Sequence, residues 1–221
     1  MSKKIAVIHT SLAIREPMDK KILELIPDAE IHNIIDERIL QDVMDNKGIN
    51  TSVIKRMSLY TQAAEAMGAD VVLNACSSVG EAFDVGKELV EIPTVKIDEP
   101  MAEIAVESGK NIGVYGTVAT TLAPSCRLIE KTAKNAGKDV KITSHLVDGA
   151  FQVLSQEKNP EKHNEMVLKE INATHQEHDV IVLAQASMSI LIPHLQHLGK
   201  PVLYSLHTGI ERVKQVLECS V

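Results

Sequence analysis

The stretch "DVVLNACSSVGEA" (residues 70–82) indicates a duplicated fold, because its pattern returns in "DVIVLAQASMSIL" (residues 179–191). In both, an apolar run that favours a buried strand is followed by small and hydroxyl-bearing residues. Two further pairs match in the same order at nearly the same intervals: "KIAVIHTS" with "NIGVYGTVAT", and "IPTVKIDEPMAEIAVE" with "KPVLYSLHTGIERVKQVL". We therefore predict an internal duplication in which Gln185 is the counterpart of Cys76.

Short runs rich in β-branched residues alternate with segments of helical period along the chain, which is typical of βα units around parallel sheets. We predict an α/β fold with two pseudo-symmetric three-layer α/β/α lobes, mainly parallel four-stranded sheets and an interlobe cleft. The first lobe is predicted to comprise residues 1–98 plus 206–221, and the second residues 99–205. Strands are predicted at residues 4–8, 31–35, 70–75, 93–97, 111–115, 140–144, 179–184 and 201–205.

Composition and charge argue against several classes of protein. The formal net charge is -7, and basic residues are spread among the acidic ones, so we expect no nucleic-acid surface. The apolar run near the N-terminus is too short for a secretory signal or a membrane span. We therefore expect a cytoplasmic protein, whose three cysteines would be reduced thiols.

The sequence also lacks the common cofactor motifs. Its nine histidines form no H-E-x-x-H or comparable cluster, so we predict no metal site. The stretch "VYGTVATT" (residues 114–121) follows a predicted strand but lacks the glycine spacing of a dinucleotide fingerprint or a P-loop. We therefore expect no cofactor.

Cys76 follows a predicted strand and shortly precedes a predicted helix. Unpaired N–H groups and the positive end of the helix dipole favour a thiolate in such a place. Ser77, Ser78 and the neighbouring amides would bind a substrate carboxylate beside the sulfur. The alternative is a buried cysteine that only packs the end of the strand.

Hydroxyl-bearing residues follow two other predicted strands: Thr10 and Ser11 after the first, and Thr117, Thr120 and Thr121 after the fifth. Taken singly, each is explained as a helix N-cap. Open α/β sheets bind ligands at the carboxyl ends of their strands, so we expect these residues to line the interlobe cleft. Uncharged donors of this kind suit a small carboxylate.

Three stretches, "NACSSVGEA", "VKIDEPMAEIAVESGKNIGVYGTVATT" and "VIVLAQASM", resemble the aspartate, glutamate and hydantoin racemase superfamily, and the resemblance extends from Ile5 to about Val216. The resemblance implies two pseudo-symmetric α/β lobes, no cofactor, and a homodimer or higher homo-oligomer. It also implies two cysteines on opposite sides of a substrate bound between the lobes. One removes the α-proton as a thiolate, and the other delivers a proton to the opposite face.

Under this resemblance the first family cysteine falls on Cys76 and the second on Gln185. An amide neither accepts nor releases protons near neutral pH, so we do not expect the two-thiol reaction in this chain. His9 stands where glutamate racemases have an aspartate, and His9 or His207 would be the other proton-transfer group. The implied substrate-binding residues are Thr10, Ser11, Asn74, Ser77, Ser78, Thr117, Thr120, Thr121, Ser187 and His207.

The leading hypothesis is a cofactor-independent isomerase acting at the α-carbon of a small carboxylic acid, amino acid or hydantoin. Cys76 would be its acid, base or nucleophile, and Gln185 would donate a hydrogen bond. The alternatives are a single-cysteine enzyme similar to arylmalonate decarboxylases or maleate isomerases, and a non-catalytic carboxylate-binding protein. Because only 2% of the residues are aromatic, a small aliphatic substrate is favoured. Cys126 and Cys219 are predicted to be structural.

Overall fold

Every strand of the computed structural model, which describes residues 2–219 apart from the side chain of Ala186, belongs to one of two four-stranded parallel sheets. Residues 2–97 and 206–219 form a first compact unit, and residues 98–205 form a second. Each sheet has helices on both of its faces. The predicted α/β class with parallel four-stranded sheets is therefore confirmed.

The sheet of the first unit has the strand order β2-β1-β3-β4. Its strands are β1 (Lys3–His9), β2 (Ala29–Ile35), β3 (Val71–Asn74) and β4 (Thr94–Lys96). All four residues of β3 are buried. This burial accounts for its uninterrupted apolar sequence, because a central parallel strand is covered by helices on both faces.

The helices of the first unit divide between the two faces of its sheet. Those that precede the second unit along the chain are α1 (Arg15–Leu25), α2 (Glu37–Asp45), α3 (Thr51–Ala66) and α4 (Gly80–Gly86). Residues of α2, α3 and α4 pack with Ala6, Ile8 and Val72 in one apolar cluster. Since successive strand residues face opposite ways, the alternate residues Ile5 and Val7 lie on the other face of the sheet.

The second unit repeats this design, with the strand order β6-β5-β7-β8. Its strands are β5 (Asn111–Gly116), β6 (Lys141–Leu146), β7 (Val180–Leu183) and β8 (Val202–Tyr204). Its helices are α5 (Glu99–Ser108), α6 (Ala119–Asn135), α7 (Ala150–Ser155), α8 (Pro160–Thr174) and α9 (Ile192–Leu195). The equivalent strand order is what a duplicated βα unit predicts.

The last helix, α10 (Ser205–Cys219), adds the end of the described chain to the first unit. Its Gly209 lies so close to the end of β4 that an added Cβ would stand 2.5 Å from the carbonyl oxygen of Ile97. Main-chain atoms cannot move aside easily, so only glycine fits at this position. Ile210 and Val213 of the same helix are fully buried.

Three rings form a polar cluster within the second unit. The Nε2 atoms of His145 and His178 are 2.9 Å apart, and the Tyr115 ring stacks on His145 with centroids 4.4 Å apart. The missing side chain of Gly113 makes room for His178, since an added Cβ would be 2.3 Å from its Cδ2 atom. Two imidazole nitrogens at this distance share one hydrogen bond, so only one of them carries a proton and the other accepts it.

The free energy of unfolding is expected to decrease as the pH falls from about 7.5 towards 5. Burial, and then the neighbouring His145, lower the pKa of His178 below its ordinary value of 6.5. Below pH 6.5 the unfolded chain therefore binds more protons than the folded chain, and protonation favours unfolding. Urea unfolding at several pH values in this range measures how the free energy of unfolding depends on pH. This pH dependence should be weaker in His178→Gln and unchanged in the exposed control His194→Gln. An unchanged pH dependence in His178→Gln would mean that His178 does not cause it.

Candidate functional site

Cys76 lies at the carboxyl edge of the first sheet, two residues beyond the end of β3. Its main chain is extended, with φ −134° and ψ 115°, and it begins a 3-10 turn at Ser77–Val79 that leads into α4. Ser77 and Ser78 are buried, whereas Cys76 is partly exposed. The strand-to-helix position predicted for this cysteine is therefore present in the structure.

The side chain of Asn74 holds the main chain of Cys76 from both sides. Its Oδ1 accepts a hydrogen bond from the Cys76 N–H at 3.3 Å, and its Nδ2 donates to the Cys76 carbonyl at 3.0 Å. Asn74 itself is fully buried. Both ends of this amide thus fix the conformation of Cys76, and a direct contact between Asn74 and substrate stays a prediction.

The segment after β1 runs beside the Cys76 segment, because the Ala75 N–H donates to the Ile8 carbonyl at 3.0 Å. Thr10 in this segment is buried. The Ser11 hydroxyl accepts a hydrogen bond from the Ala13 N–H at 3.2 Å and caps the 3-10 turn Leu12–Ile14. The helix-cap explanation of Ser11 is therefore realised in the structure.

His9, at the end of β1, is fully buried. Its Nε2 lies 2.7 Å from Asn33 Oδ1 on the neighbouring strand β2, and Asn33 Nδ2 contacts both carboxylate oxygens of Asp19 at 3.1 and 3.2 Å. Burial lowers the pKa of His9, and the hydrogen bond to Asn33 opposes this only in part. Sequence reasoning did not identify Asn33 or Asp19, since their contact with His9 depends on which strands pair.

Gln185 occupies in the second unit the place that Cys76 has in the first. It is the second residue after β7, begins a 3-10 turn, and has φ −122° and ψ 129°, close to the values of Cys76. Its Oε1 accepts hydrogen bonds from the Thr117 N–H at 2.6 Å and the Thr117 hydroxyl at 2.9 Å. Within residues 2–219 its Nε2 has no hydrogen-bond partner, so this amino group is the end of the amide that is available to donate.

The other predicted residues are distributed over both units. Thr120 and Thr121 lie in the first turn of α6, and the Thr120 hydroxyl is buried with no partner in the described chain. Ser187 is exposed in the 3-10 turn after Gln185. His207 lies at the start of α10, where its Nε2 is 3.3 Å from Glu211 Oε1. The structure thus joins Thr117 to Gln185 directly, and it brings the β1 and β3 ends together through main-chain pairing.

Cys76, Cys126 and Cys219 are all outside disulfides in the described structure. We expect Cys126 to be nearly inert towards thiol reagents. Burial, with a smaller contribution from Glu130, raises the pKa of Cys126 to about 11 from the ordinary 9.0. At pH 8 its thiolate fraction is therefore about 100-fold below that of an ordinary thiol.

Peptide mass spectrometry after timed iodoacetamide treatment measures the reactivity of each cysteine. In the folded protein Cys126 should label at least about 100-fold more slowly than Cys219, which is exposed near the end of the described chain. In urea the two should label at similar rates. Equal labelling rates in the folded protein would show that burial does not raise the pKa of Cys126.

Among residues 2–219, no group of three or more His, Cys, Asp or Glu side chains is arranged to hold a metal ion. No helix in this part of the chain has the length and apolar character needed to cross a bilayer.

Comparison with known proteins defines the class. The profile of the family described as Asp/Glu/Hydantoin racemase matches residues 6–213, so the chain belongs to this family. A search of curated protein sequences finds no significant match.

Solved structures share the fold at low sequence identity. The allantoin racemase from Klebsiella pneumoniae is 18% identical, covers 100% of this chain and 89% of its own, and superposes with a TM-score of 0.73. The glutamate racemase isoform RacE1 from Bacillus anthracis is 17% identical, with coverage of 99% and 82% and a TM-score of 0.70. The aspartate racemase of Picrophilus torridus is 13% identical, with coverage of 98% and 95% and a TM-score of 0.70.

Proposed function

We propose that this protein is an isomerase that acts at the α-carbon of a small carboxylic acid, amino acid or hydantoin, with Cys76 as its acid, base or nucleophile. Family membership supports the reaction class, and structures similar in fold include allantoin, glutamate and aspartate racemases. The observation that carries the proposal is the place of Cys76, a partly exposed thiol at a strand end whose main chain Asn74 fixes from both sides.

In the proposed reaction the Cys76 thiolate removes the α-proton. The electron pair of the C–H bond moves into the adjoining carbonyl and gives an enolate, and return of a proton to the α-carbon completes the exchange. The buried Ser77 and Ser78, together with neighbouring main-chain N–H groups, would donate hydrogen bonds to the developing negative charge. No cofactor is required for these steps.

Gln185 would contribute a hydrogen-bond donor and no proton. Thr117 occupies its Oε1 with two donors, so the amide is held in one orientation with Nε2 as the donating end. A fixed neutral donor of this kind stabilises an enolate without giving up its proton. With one thiol, inversion needs a second proton source, and His9 or His207 is proposed for this role.

Decarboxylation is the second candidate, and the amide at position 185 favours it. Loss of CO2 from a 2-substituted malonate generates the carbanion directly, so that only one proton donor is needed and Cys76 suffices. A cis–trans isomerisation with Cys76 as nucleophile, and carboxylate binding without catalysis, are also compatible with the absence of a second thiol at position 185.

Exchange of the α-proton with solvent deuterium tests these functions. The intact protein is incubated in D2O with amino acids, hydantoins and 2-substituted malonates, and each reaction is followed by NMR and by chiral chromatography. Exchange at the α-carbon with inversion supports the isomerase proposal, and exchange without inversion supports a one-sided base. Release of CO2 with deuterium in the product supports decarboxylation, and binding without either reaction supports the carboxylate-binding protein. A homo-oligomer and a cytoplasmic location are further proposals, which gel filtration and cell fractionation would test.

A further inference from the structure

The hydrogen bonds around His9 determine which of its nitrogens carries the proton. The Asp19 carboxylate is acceptor-only when ionised, so the Asn33 group 3.1 and 3.2 Å from its oxygens must be the NH2 group. The Asn33 carbonyl oxygen therefore faces His9, 2.7 Å from Nε2. A carbonyl oxygen only accepts, so Nε2 must donate, and a neutral His9 is the Nε2–H tautomer.

The other nitrogen of His9 is then an acceptor that lacks a donor. In the Nε2–H tautomer Nδ1 carries a lone pair, yet this atom is buried and has no hydrogen-bond partner in the part of the chain that the structure describes. Buried polar atoms are nearly always paired, because leaving one unpaired is unfavourable. An exception of this kind at a strand end that would border a substrate site points to a donor supplied by a ligand.

The surroundings of His9 favour a neutral donor over an ammonium group. The Asp19 carboxylate next to this pair already binds Asn33, and it lies 3.4 Å from the Arg15 guanidinium. An ammonium group buried against a neutral imidazole would have to compete with Asn33 and Arg15 for the Asp19 carboxylate, which is unfavourable. A neutral amide or ureide N–H has no such requirement.

We propose that Asn33, oriented by Asp19, is a positioning residue that holds His9 as the Nε2–H tautomer and reserves its Nδ1 to accept a hydrogen bond from a neutral N–H group of the substrate. The hydrogen bond from substrate to Nδ1, the ligand half, rests on the proposed function, whereas the tautomer of His9 does not. If both hold, the preferred substrates are cyclic amides or ureides, free amino acids are disfavoured, and His207 rather than His9 is the second proton source.

The tautomer is read without any turnover, by long-range 1H–15N NMR of the imidazole ring in the 15N-labelled protein at pH 7.5. We expect a protonated Nε2 and an unprotonated Nδ1 at His9, and a loss of this pattern in Asn33→Leu. The matched control is Asn172→Leu, which removes the exposed contact between Asn172 and His197 and should leave His9 unchanged. A protonated Nδ1 in the unaltered protein, or an unchanged His9 in folded Asn33→Leu, would overturn the proposal. If Asn33→Leu does not fold, the tautomer in the unaltered protein still decides.

The ligand half is tested with hydantoin and with its N,N′-dimethyl derivative, which has no N–H group. We expect hydantoin to shift the His9 Nδ1 resonance and the dimethyl compound to bind at least about tenfold more weakly. Equal binding of the two, or hydantoin binding without a shift at His9, would overturn this half. Because neither measurement uses turnover, a protein that binds hydantoin through His9 but catalyses no α-proton exchange would contradict the proposed function alone.

Discussion

Replacing Cys76 with serine should reduce α-proton exchange by at least about 1,000-fold. A serine hydroxyl is close in size to a thiol but does not ionise near neutral pH, so it cannot remove the α-proton as a thiolate does. Cys76 is partly exposed and its main chain is held by Asn74, so the substitution should leave the fold intact. The measurement is the NMR rate of deuterium incorporation into the best substrate of the panel.

The other two cysteines provide controls for this substitution. Cys126 is a partly buried helix residue with a raised pKa, and Cys219 is exposed near the end of the described chain. Cys126→Ser and Cys219→Ser should each exchange within about threefold of the unaltered protein, since neither lies at a strand end. Full activity in Cys76→Ser, or a comparable loss in either control, would remove Cys76 from its proposed role.

Replacing Asp36 with alanine should lower the free energy of unfolding by about 2–4 kcal/mol, because one carboxylate performs two tasks. Its Oδ1 caps α2 by accepting from the Arg38 and Ile39 N–H groups at 3.0 and 3.3 Å. Its Oδ2 accepts from Arg56 at 2.9 Å and from the Tyr60 hydroxyl at 2.7 Å, which fastens α2 to α3. Urea unfolding followed by circular dichroism measures the change.

Asp45→Ala is the matched control for Asp36→Ala. Asp45 also lies in α2, but its side chain is 51% exposed and it pairs with the exposed Arg38 at 3.6 Å. Such a surface pair contributes less than about 1 kcal/mol. Similar losses in the two variants would mean that the Asp36 contacts do not hold the two helices together.

The fold was predictable because its signals are local. Strand runs alternate with helical segments, and the duplication aligned Cys76 with Gln185, whose main-chain angles the structure shows to be nearly the same. The predicted limits of the strands were less accurate. The strand predicted at residues 140–144 is Lys141–Leu146 in the structure, because its limits are set by pairing with β5. Which residues of neighbouring strands lie side by side is not a local property.

The candidate site was predictable only in part, for the same reason. Cys76, His9 and Thr117 lie at strand ends as predicted, but their partners depend on tertiary contacts. The bond between Thr117 and Gln185 joins segments 68 residues apart, and the bond between His9 and Asn33 requires the pairing of β1 with β2. The contact of Asn74 with Cys76 has a local signal, since asparagine side chains commonly bond to the main chain two residues further on.

The role proposed for Cys76 is tested by alkylating it as the only thiol of the protein. In a Cys126→Ser/Cys219→Ser double variant, iodoacetamide labelling is followed by mass spectrometry while α-proton exchange is measured on the same samples. Exchange should fall in proportion to the labelled fraction of Cys76 and reach zero at one label per chain, and a bound substrate should slow both changes. Exchange that continues at its original rate when Cys76 is fully labelled would contradict the proposed role of Cys76.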